Sequence, residues 1–224
     1  MTSSPDRVSP RAPRHLLVLA NPSPTSFDHS IAAAYTDAVQ QNRQEVVVRD
    51  LYNLNFNPVL AASERPMVDD WTVAPDVEVE LQHLAWCDIL VLVYPIWYGL
   101  PPAMMKGYVD RVLGAGYSFR DVRSEVGQPS VAGKPLLSFS TSGLSLPWLH
   151  EKGQVTSLKE IFDVYLRQGL SMGSAEHIRI DSVVPDVNND YAAEQLERVR
   201  AVANRQCATF RANQHRLVDT TAQH

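Results

Sequence analysis

Ile89-Leu-Val-Leu-Val-Tyr94 is the most apolar run of the 224-residue chain. It has the length of a strand, and its lack of polar interruptions indicates a strand that is buried on both faces. Such strands lie at the centre of parallel sheets whose two faces are covered by helices. The run therefore predicts an α/β fold with this strand in the middle.

The segments on either side of this run alternate between strand-like and helix-like patterns. We predict further strands at 15–20, 45–50, 134–139 and 176–180, and helices at 26–42, 75–85, 101–112, 155–168 and 189–210. This alternation predicts parallel strands joined by right-handed crossovers in a doubly wound sheet. For five strands we expect the order 2-1-3-4-5, in which a ligand crevice lies beyond the carboxyl ends of strands 1 and 3.

Composition and charge are those of one ordinary globular domain. Hydrophobic residues make up 45% and charged residues 20%, and Lys+Arg 20 against Asp+Glu 25 leaves a net charge of −5. No basic surface for nucleic acid or for an anionic membrane is expected at this balance. We predict a loose N-terminal arm over residues 1–14, one domain over 15–218 and a frayed C-terminus over 219–224.

Two further features concern location in the cell. The first 14 residues contain no apolar stretch of the kind a secretory signal needs, and no run is long enough for a membrane helix. Cys87 and Cys207 are too few for a disulfide framework or a cysteine metal site. We therefore expect a cytoplasmic, reduced protein whose two thiols are buried and inert.

The loop after the first strand, residues 21–28, runs directly into a helix. Free N–H groups and the helix dipole at such a position favour a phosphate, with the Thr25 and Ser26 hydroxyls as further donors. The loop has no glycine, which excludes both G-x-G-x-x-G and the P-loop. A Pro-rich turn and a capped helix start are the alternative interpretation.

Two more loops are predicted to reach the same edge of the sheet. Residues 95–101, after the central strand, contain the adjacent aromatics Trp97 and Tyr98, which suit a flat ligand or simply cap the core. Residues 140–148, after the next strand, are rich in small hydroxyl side chains that let backbone N–H groups approach a ligand, or form an ordinary turn. Together the three loops predict a slot with a phosphate end, an aromatic wall and a hydrogen-bonding edge.

Three motifs, in this order and spacing, resemble the flavodoxin-like NAD(P)H:quinone oxidoreductases, the DT-diaphorase group and its bacterial relatives. They are Leu17-Val-Leu-Ala20 through Thr25-Ser-Phe27, Asp50-Leu-Tyr52 with Asn55-Phe-Asn-Pro58, and Pro95 through Gly99-Leu-Pro101 into Lys106-Gly-Tyr-Val-Asp-Arg111. The resemblance covers roughly residues 15 to 180. Within this range, Gly107 lies inside a predicted helix, where it costs about 1 kcal/mol of stability relative to Ala. The presence of glycine despite this cost indicates close packing at that position.

The resemblance implies a flavodoxin-like fold and a homodimeric flavoenzyme with its active site at the subunit interface. It implies FAD, with FMN as the alternative, an NAD(P)H donor, and ping-pong, two-electron reduction of quinones or similar aromatic acceptors. The implied binding residues are Asn21, Thr25, Ser26 and Phe27 at the phosphate, Pro95, Ile96, Trp97, Tyr98 and Gly99 along the isoalloxazine, and Ser140, Thr141, Ser142 and Gly143 at its pyrimidine edge.

The animal enzymes also carry a Tyr and a His that steady negative charge on the reduced flavin. Counting along the chain puts Trp148 at the Tyr position and Gln154 at the His position, with His150 as a displaced candidate. Trp148 and His150 are thus the catalytic candidates, and a solvated loop histidine is the alternative for His150.

Three other functions compete with the quinone reductase. The slot would also serve a flavodoxin-type electron carrier or a flavin-bearing regulatory subunit, although the long segment 51–75 favours an elaborated substrate site. A serine hydrolase is suggested only weakly by Gly143-Leu-Ser145-Leu-Pro147, which lacks the second glycine of G-x-S-x-G. A flavin-free binding module is the third.

Overall fold

A computed structural model describes residues 11–221 of the chain. Its centre is a five-stranded, all-parallel sheet in the order β2-β1-β3-β4-β5, which confirms the predicted flavodoxin-like topology. The strands are β1 (Arg14–Leu19), β2 (Glu45–Asp50), β3 (Ile89–Pro95), β4 (Pro135–Thr141) and β5 (Ser174–Ile180). Every residue of β3 is buried, as its uninterrupted apolar sequence predicts.

Helices cover both faces of the sheet. They are α1 (Phe27–Gln41), α2 (Pro75–Trp86), α3 (Ala103–Tyr108), α4 (Phe119–Arg123), α5 (Leu146–Glu151), α6 (Gln154–Leu158), α7 (Tyr165–Gly169) and α8 (Asn189–Thr221). A π-helical segment, Val109–Leu113, continues α3, and a second, Lys159–Val164, joins α6 to α7. The short helices α4 and α5 were not predicted, because neither is long enough to show a periodic pattern.

The two faces of the sheet have separate cores. On one face α1 and α8 pack over side chains such as Leu17, Val91 and Phe139. The opposite face, with Leu92 and Tyr94, is covered by α2, α3 and the helical run from α6 to α7. Cys87 and Cys207 are buried in these cores, and burial raises the pKa of each thiol to about 11. The prediction of inert thiols agrees with this environment.

The segment between β2 and α2 is held against α3. Its Glu64 and the Asp76 carboxylate at the start of α2 both accept hydrogen bonds from the buried guanidinium of Arg111. A Cβ added to Gly107 would collide with the backbone of Pro58. The predicted close packing at Gly107 is therefore confirmed, and the partner is the Asn55-Phe-Asn-Pro58 motif.

Residues 1–10 of the predicted arm and residues 222–224 of the predicted C-terminus lie outside the described residues. Of the arm's remaining positions, Arg11 pairs with Asp88, and Arg14 already begins β1. Across residues 11–221, no helix combines the length and the apolar character needed to cross a membrane.

Candidate functional site

One cavity of about 560 Å³ lies at the carboxyl edge of the sheet, beyond β1, β3 and β4. Its wall contains residues from all three of the loops that the sequence predicts to converge. These residues are Asn21, Ser23, Thr25, Ser26, Phe27, Asp28 and Ser30 from the first loop and α1, Pro95, Ile96 and Trp97 from the second loop, and Thr141, Ser142 and Gly143 from the third. The volume is within the usual range of small-molecule sites.

The phosphate end of the predicted slot is the start of α1. Ser26 is the N-cap of this helix, and its Oγ accepts a hydrogen bond from the His29 amide. The Phe27 and Asp28 amides follow directly and, as first-turn donors, have no acceptor within the helix. His29 Nδ1 lies 2.9 Å from Ser26 Oγ and its Nε2 lies 3.2 Å from Asp50 Oδ2, so the imidazole stands beside this end of the cavity.

Asp28 joins the first loop to the third. Its carboxylate is almost completely buried and accepts hydrogen bonds from Asn21 Nδ2 at 2.6 Å and from Thr141 Oγ1 at 2.9 Å. Burial raises the pKa of Asp28, and the two hydrogen bonds oppose that rise. Asn21 and Thr141 are thereby fixed relative to each other across the cavity.

The second loop makes a tight turn. The amides and carbonyls of Trp97 and Leu100 bond each other, while Tyr98 and Gly99 between them have φ of 50° and 85°. Two successive positive φ values are typical of a type I′ turn, which favours glycine at the second position. A Cβ on Gly99 would also collide with Gln154, so this turn is packed against the start of α6.

The side chains of the third loop point to different sides of β4. Thr141 and Ser142 line the cavity, whereas the Ser140 side chain lies on the opposite face of β4 and contacts His177. Trp148 and His150 lie on α5, both with exposed side chains and neither in the cavity wall.

Most of the predicted binding residues are brought together, and some are not. Ten of them line the cavity: Asn21, Thr25, Ser26, Phe27, Pro95, Ile96, Trp97, Thr141, Ser142 and Gly143. Outside its wall are the predicted binding residues Tyr98, Gly99 and Ser140, together with the two catalytic candidates Trp148 and His150. Tyr98 is fully exposed at the tip of its turn.

Sequence reasoning missed a fourth contributor, the segment after β5. Val183, Val184, Pro185 and Val187 complete the cavity wall, and the carbonyl oxygen of Val183 lies 3.7 Å from where a Cβ of Gly143 would be. The available signal was position: this segment follows the strand next to β4, at the same edge of the sheet. Segment 51–75, by contrast, adds no residue to the wall.

The wall has the donor set that a flavin needs. Hydroxyls and first-turn amides of α1 suit a phosphate, Trp97 offers a flat apolar surface, and the small residues Ser142 and Gly143 leave backbone groups accessible. No Lys or Arg lines the cavity among the residues that the structure describes, so a phosphate would depend on neutral donors and the helix dipole.

Comparison with curated proteins finds NAD(P)H oxidoreductases among the relatives of this chain. A protein named uncharacterized NAD(P)H oxidoreductase from Haemophilus influenzae is 35% identical over 146 residues, which is 64% of this chain and 71% of that protein. NAD(P)H dehydrogenase [quinone] 1 from Rattus norvegicus is 30% identical over 58% of this chain. The match spans about half of the rat protein, 54% of its length.

Solved structures share the fold. The NAD(P)H:quinone oxidoreductase from Methanothermobacter marburgensis superposes with a TM-score of 0.73 at 21% identity, covering 87% of this chain and 96% of that chain. An FMN-dependent NADH-azoreductase from Bacillus anthracis, solved with FMN, gives a TM-score of 0.68 at 14% identity, covering 87% of this chain and 99% of that chain.

A family model described as flavodoxin-like fold matches residues 13–203. The motif resemblance to NAD(P)H:quinone oxidoreductases and the prediction of an NAD(P)H dehydrogenase are confirmed by these relatives. With most of its length matched, the chain belongs to the flavodoxin-like fold family.

Proposed function

We propose that the chain is a flavin-dependent NAD(P)H oxidoreductase that reduces quinones or similar aromatic acceptors by two-electron transfer. The observation that carries the proposal is the single cavity in which loops 21–28, 95–97 and 141–143 meet at the carboxyl edge of β1, β3 and β4. The names of the curated relatives, which are NAD(P)H oxidoreductases and quinone dehydrogenases, support the same activity.

Each part of the wall would have its own task. When bound, a flavin would supply the hydride chemistry, since it accepts a hydride from NAD(P)H and passes it on. Ser26, Thr25 and the first-turn amides of α1 would bind phosphate, and Trp97 with Ile96 would hold the ring system and exclude water. Ser142 and Gly143 would orient the pyrimidine edge, with Asn21 and Thr141 held in place by Asp28.

FAD is the cofactor we propose, with FMN as the alternative. The resemblance around Asn55-Phe-Asn-Pro58 favours FAD, whereas the azoreductase of similar fold was solved with FMN. Release of the cofactor from purified protein and determination of its mass distinguish the two. The same preparation, titrated with NADH and NADPH, identifies the donor.

Rapid mixing with NADPH tests the proposed function. Flavin-loaded protein should lose its visible absorption within one turnover and recover it on addition of a benzoquinone. Donor and acceptor would use one site in turn. Double-reciprocal plots of rate against NADPH concentration, recorded at several quinone concentrations, should therefore give parallel lines. Intersecting lines would contradict the shared site. Absence of flavin bands after reconstitution with FAD or FMN would refute the proposal.

A second candidate is an electron carrier or a flavin-bearing regulatory subunit. It shares the cavity, and the absence of residues 51–75 from the wall removes one argument for an elaborated substrate site. Bleaching by NADPH followed by fast reoxidation by quinone favours the enzyme, while flavin binding without either reaction favours the carrier.

We also propose a cytoplasmic homodimer. Support for a dimer comes from exposed apolar side chains, Leu60, Phe119 and Tyr165, around a groove of about 300 Å³ near α4 and α7. Contiguous apolar surface of this kind is typical of protein interfaces. The two buried thiols suit a reducing compartment.

A further inference from the structure

Three side chains form a buried series of hydrogen bonds behind the third loop. Ser140 Oγ lies 2.7 Å from His177 Nε2, and His177 Nδ1 lies 2.7 Å from Asp163 Oδ2. Because the carboxylate can only accept, the neutral imidazole donates from Nδ1, and Nε2 accepts the Ser140 hydroxyl proton. The single donor of Ser140 is therefore directed at His177.

This arrangement is costly as a purely structural device. The side chains of His177 and Asp163 are 4% and 8% exposed, and Asp163 lies in the π-helical segment that joins α6 to α7. Arg179 Nη2 donates to Asp163 Oδ2 at 3.1 Å, but Asp163 Oδ1 and Arg179 Nε are also buried, and neither of these two atoms has a hydrogen-bond partner among the described residues. Buried polar groups of this kind destabilise a core unless every donor and acceptor is paired, so the cluster calls for a function.

The cluster adjoins the proposed flavin site. Ser140 lines a small cavity of about 20 Å³, and Ile96 and Ser142 belong both to its wall and to that of the large cavity. A space of this size holds about one water molecule. The two cavities therefore share part of their walls, and a change of charge in the large cavity would act on Ser140 across these shared residues.

We propose that Ser140, His177 and Asp163 form a proton-coupled hydroxyl switch that responds to negative charge at the flavin site. With a neutral ligand, the Ser140 hydroxyl donates to His177. When the ligand becomes an anion, His177 Nε2 takes a proton from water and donates to Ser140 Oγ, which frees the Ser140 hydrogen to turn into the small cavity that this side chain lines. Ser140 is then a positioning residue whose donor enters the small cavity only when the ligand in the large cavity is charged.

This inference rests on the proposed function, since that reaction supplies the charge. Transfer of a hydride adds two electrons and one proton to a neutral flavin and leaves one negative charge. The proton taken up by His177 balances that charge within the protein. No further oxidant, reductant or leaving group is required.

Several charged and titratable groups act on the pKa of His177. Burial lowers the pKa of His177, and Asp163 opposes that effect while Arg179 reinforces it. Tyr94 lies across from the imidazole with ring centroids 6.1 Å apart, and Asp181 lines the small cavity. A new negative charge nearby would raise the pKa of His177 and draw a proton from solvent.

The function is not that of a serine nucleophile, although the same three residue types occur in hydrolases. Ser140 is 2% exposed and lies within strand β4, whereas a nucleophilic serine stands on a sharp turn with open access. The weak hydrolase motif around Ser145 is also separate from this cluster.

The test counts protons. Protein loaded with FAD or FMN is photoreduced with an added sacrificial electron donor in place of NADPH and without quinone. The protons taken up per flavin are measured with an indicator dye between about pH 6 and 9, after subtraction of the protons that the donor releases. We expect wild type to retain an uptake of about two protons to higher pH than Ser140→Ala or His177→Gln, which should fall to about one proton earlier. His83→Gln, on α2 and outside both cavity walls, is the matched control and should follow wild type.

Two readouts separate the switch from a structural role and from the proposed function. In wild type, the ¹⁵N resonances of His177 should move from neutral to protonated values on reduction of the flavin. If His177→Gln unfolds, the milder variant Ser140→Ala still allows wild type to be compared with an altered cluster. Superimposed proton-uptake curves for wild type and Ser140→Ala would overturn the switch while leaving flavin binding intact. Failure to bind any flavin overturns the switch together with the proposed function.

Discussion

Ser26 combines two roles in one side chain, since it caps α1 and lines the cavity. Replacement by Ala removes the cap, which typically costs about 1 kcal/mol of stability. Under the proposed function it also removes a phosphate donor, so flavin affinity should fall by about tenfold. Thermal unfolding and a flavin titration measure the two effects separately.

Ser118→Ala is the matched control for this prediction. Ser118 caps α4 with its own side chain and lies outside the wall of the large cavity. Its replacement should lower stability similarly and leave flavin affinity unchanged. Equal losses of flavin affinity in the two variants would show that the effect of Ser26 is only structural.

At the same scale, two local features explain why Ser140 and Tyr98 lie outside the cavity wall. The strand was predicted to end at Phe139, but β4 continues to Thr141. Because side chains alternate along a strand, Ser140 faces away from the cavity that Thr141 lines. Tyr98 was displaced by a turn with positive φ, which the adjacent Gly99 indicates in retrospect.

Among the helices, α3 offers a sharp test of packing at Gly107. Ala normally stabilises a helix by about 1 kcal/mol relative to Gly. At Gly107 the added Cβ would meet the backbone of Pro58, which has no flexible end to move aside. We therefore expect Gly107→Ala to lower the free energy of unfolding by more than about 2 kcal/mol in urea titrations.

Gly169→Ala provides the comparison within the same chain. Gly169 ends α7, and a Cβ there would make ordinary contacts at 3.8 Å with Tyr165 and Val122. This variant should be neutral or slightly stabilising. If both variants gave the same change in the free energy of unfolding, helix propensity rather than the contact with Pro58 would determine the result.

The ion pairs that hold the segment after β2 predict a loss of stability in acid. Hydrogen bonds from Arg111 lower the pKa of Glu64 and that of Asp76. A carboxyl group whose pKa is lower in the folded state stabilises the protein above its unfolded pKa, and this contribution is lost as pH falls below about 4. In urea unfolding, wild type should have a larger free energy of unfolding than Asp76→Asn at pH 7. This difference should become smaller towards pH 3.

Asp37→Asn is the control for this pH dependence. Asp37 is exposed on α1, and no ion pair involves it among the side chains of residues 11–214. Its replacement should leave the slope of stability with pH unchanged. A gap between wild type and Asp76→Asn that persists at pH 3 would show that the pair with Arg111 is not the source of the effect.

For the whole molecule, the pattern of apolar runs was sufficient to predict a parallel, doubly wound sheet, and the strand order was taken from the commonest order for five such strands. A strand buried on both faces must be central, and alternation with helices leaves few parallel topologies. The convergence of loops followed from that order, because parallel strands all end at one edge. The segment 183–187 was missed since its four aliphatic and proline residues carry no chemical signature of a site.

The proposed dimer is a property of the assembled surface and is tested there. Phe119 is 69% exposed beside the apolar groove that Leu60 and Tyr165 also line. A charge at this position would have to be buried without a partner in a dimer that uses the groove, so Phe119→Glu should shift sedimentation from twice the mass of one chain towards the monomer. Val79→Glu, at another exposed apolar side chain on α2, should leave the mass unchanged. Wild-type protein that sediments as a monomer at every concentration would contradict the dimer, and a dimer that survives Phe119→Glu would place its interface elsewhere.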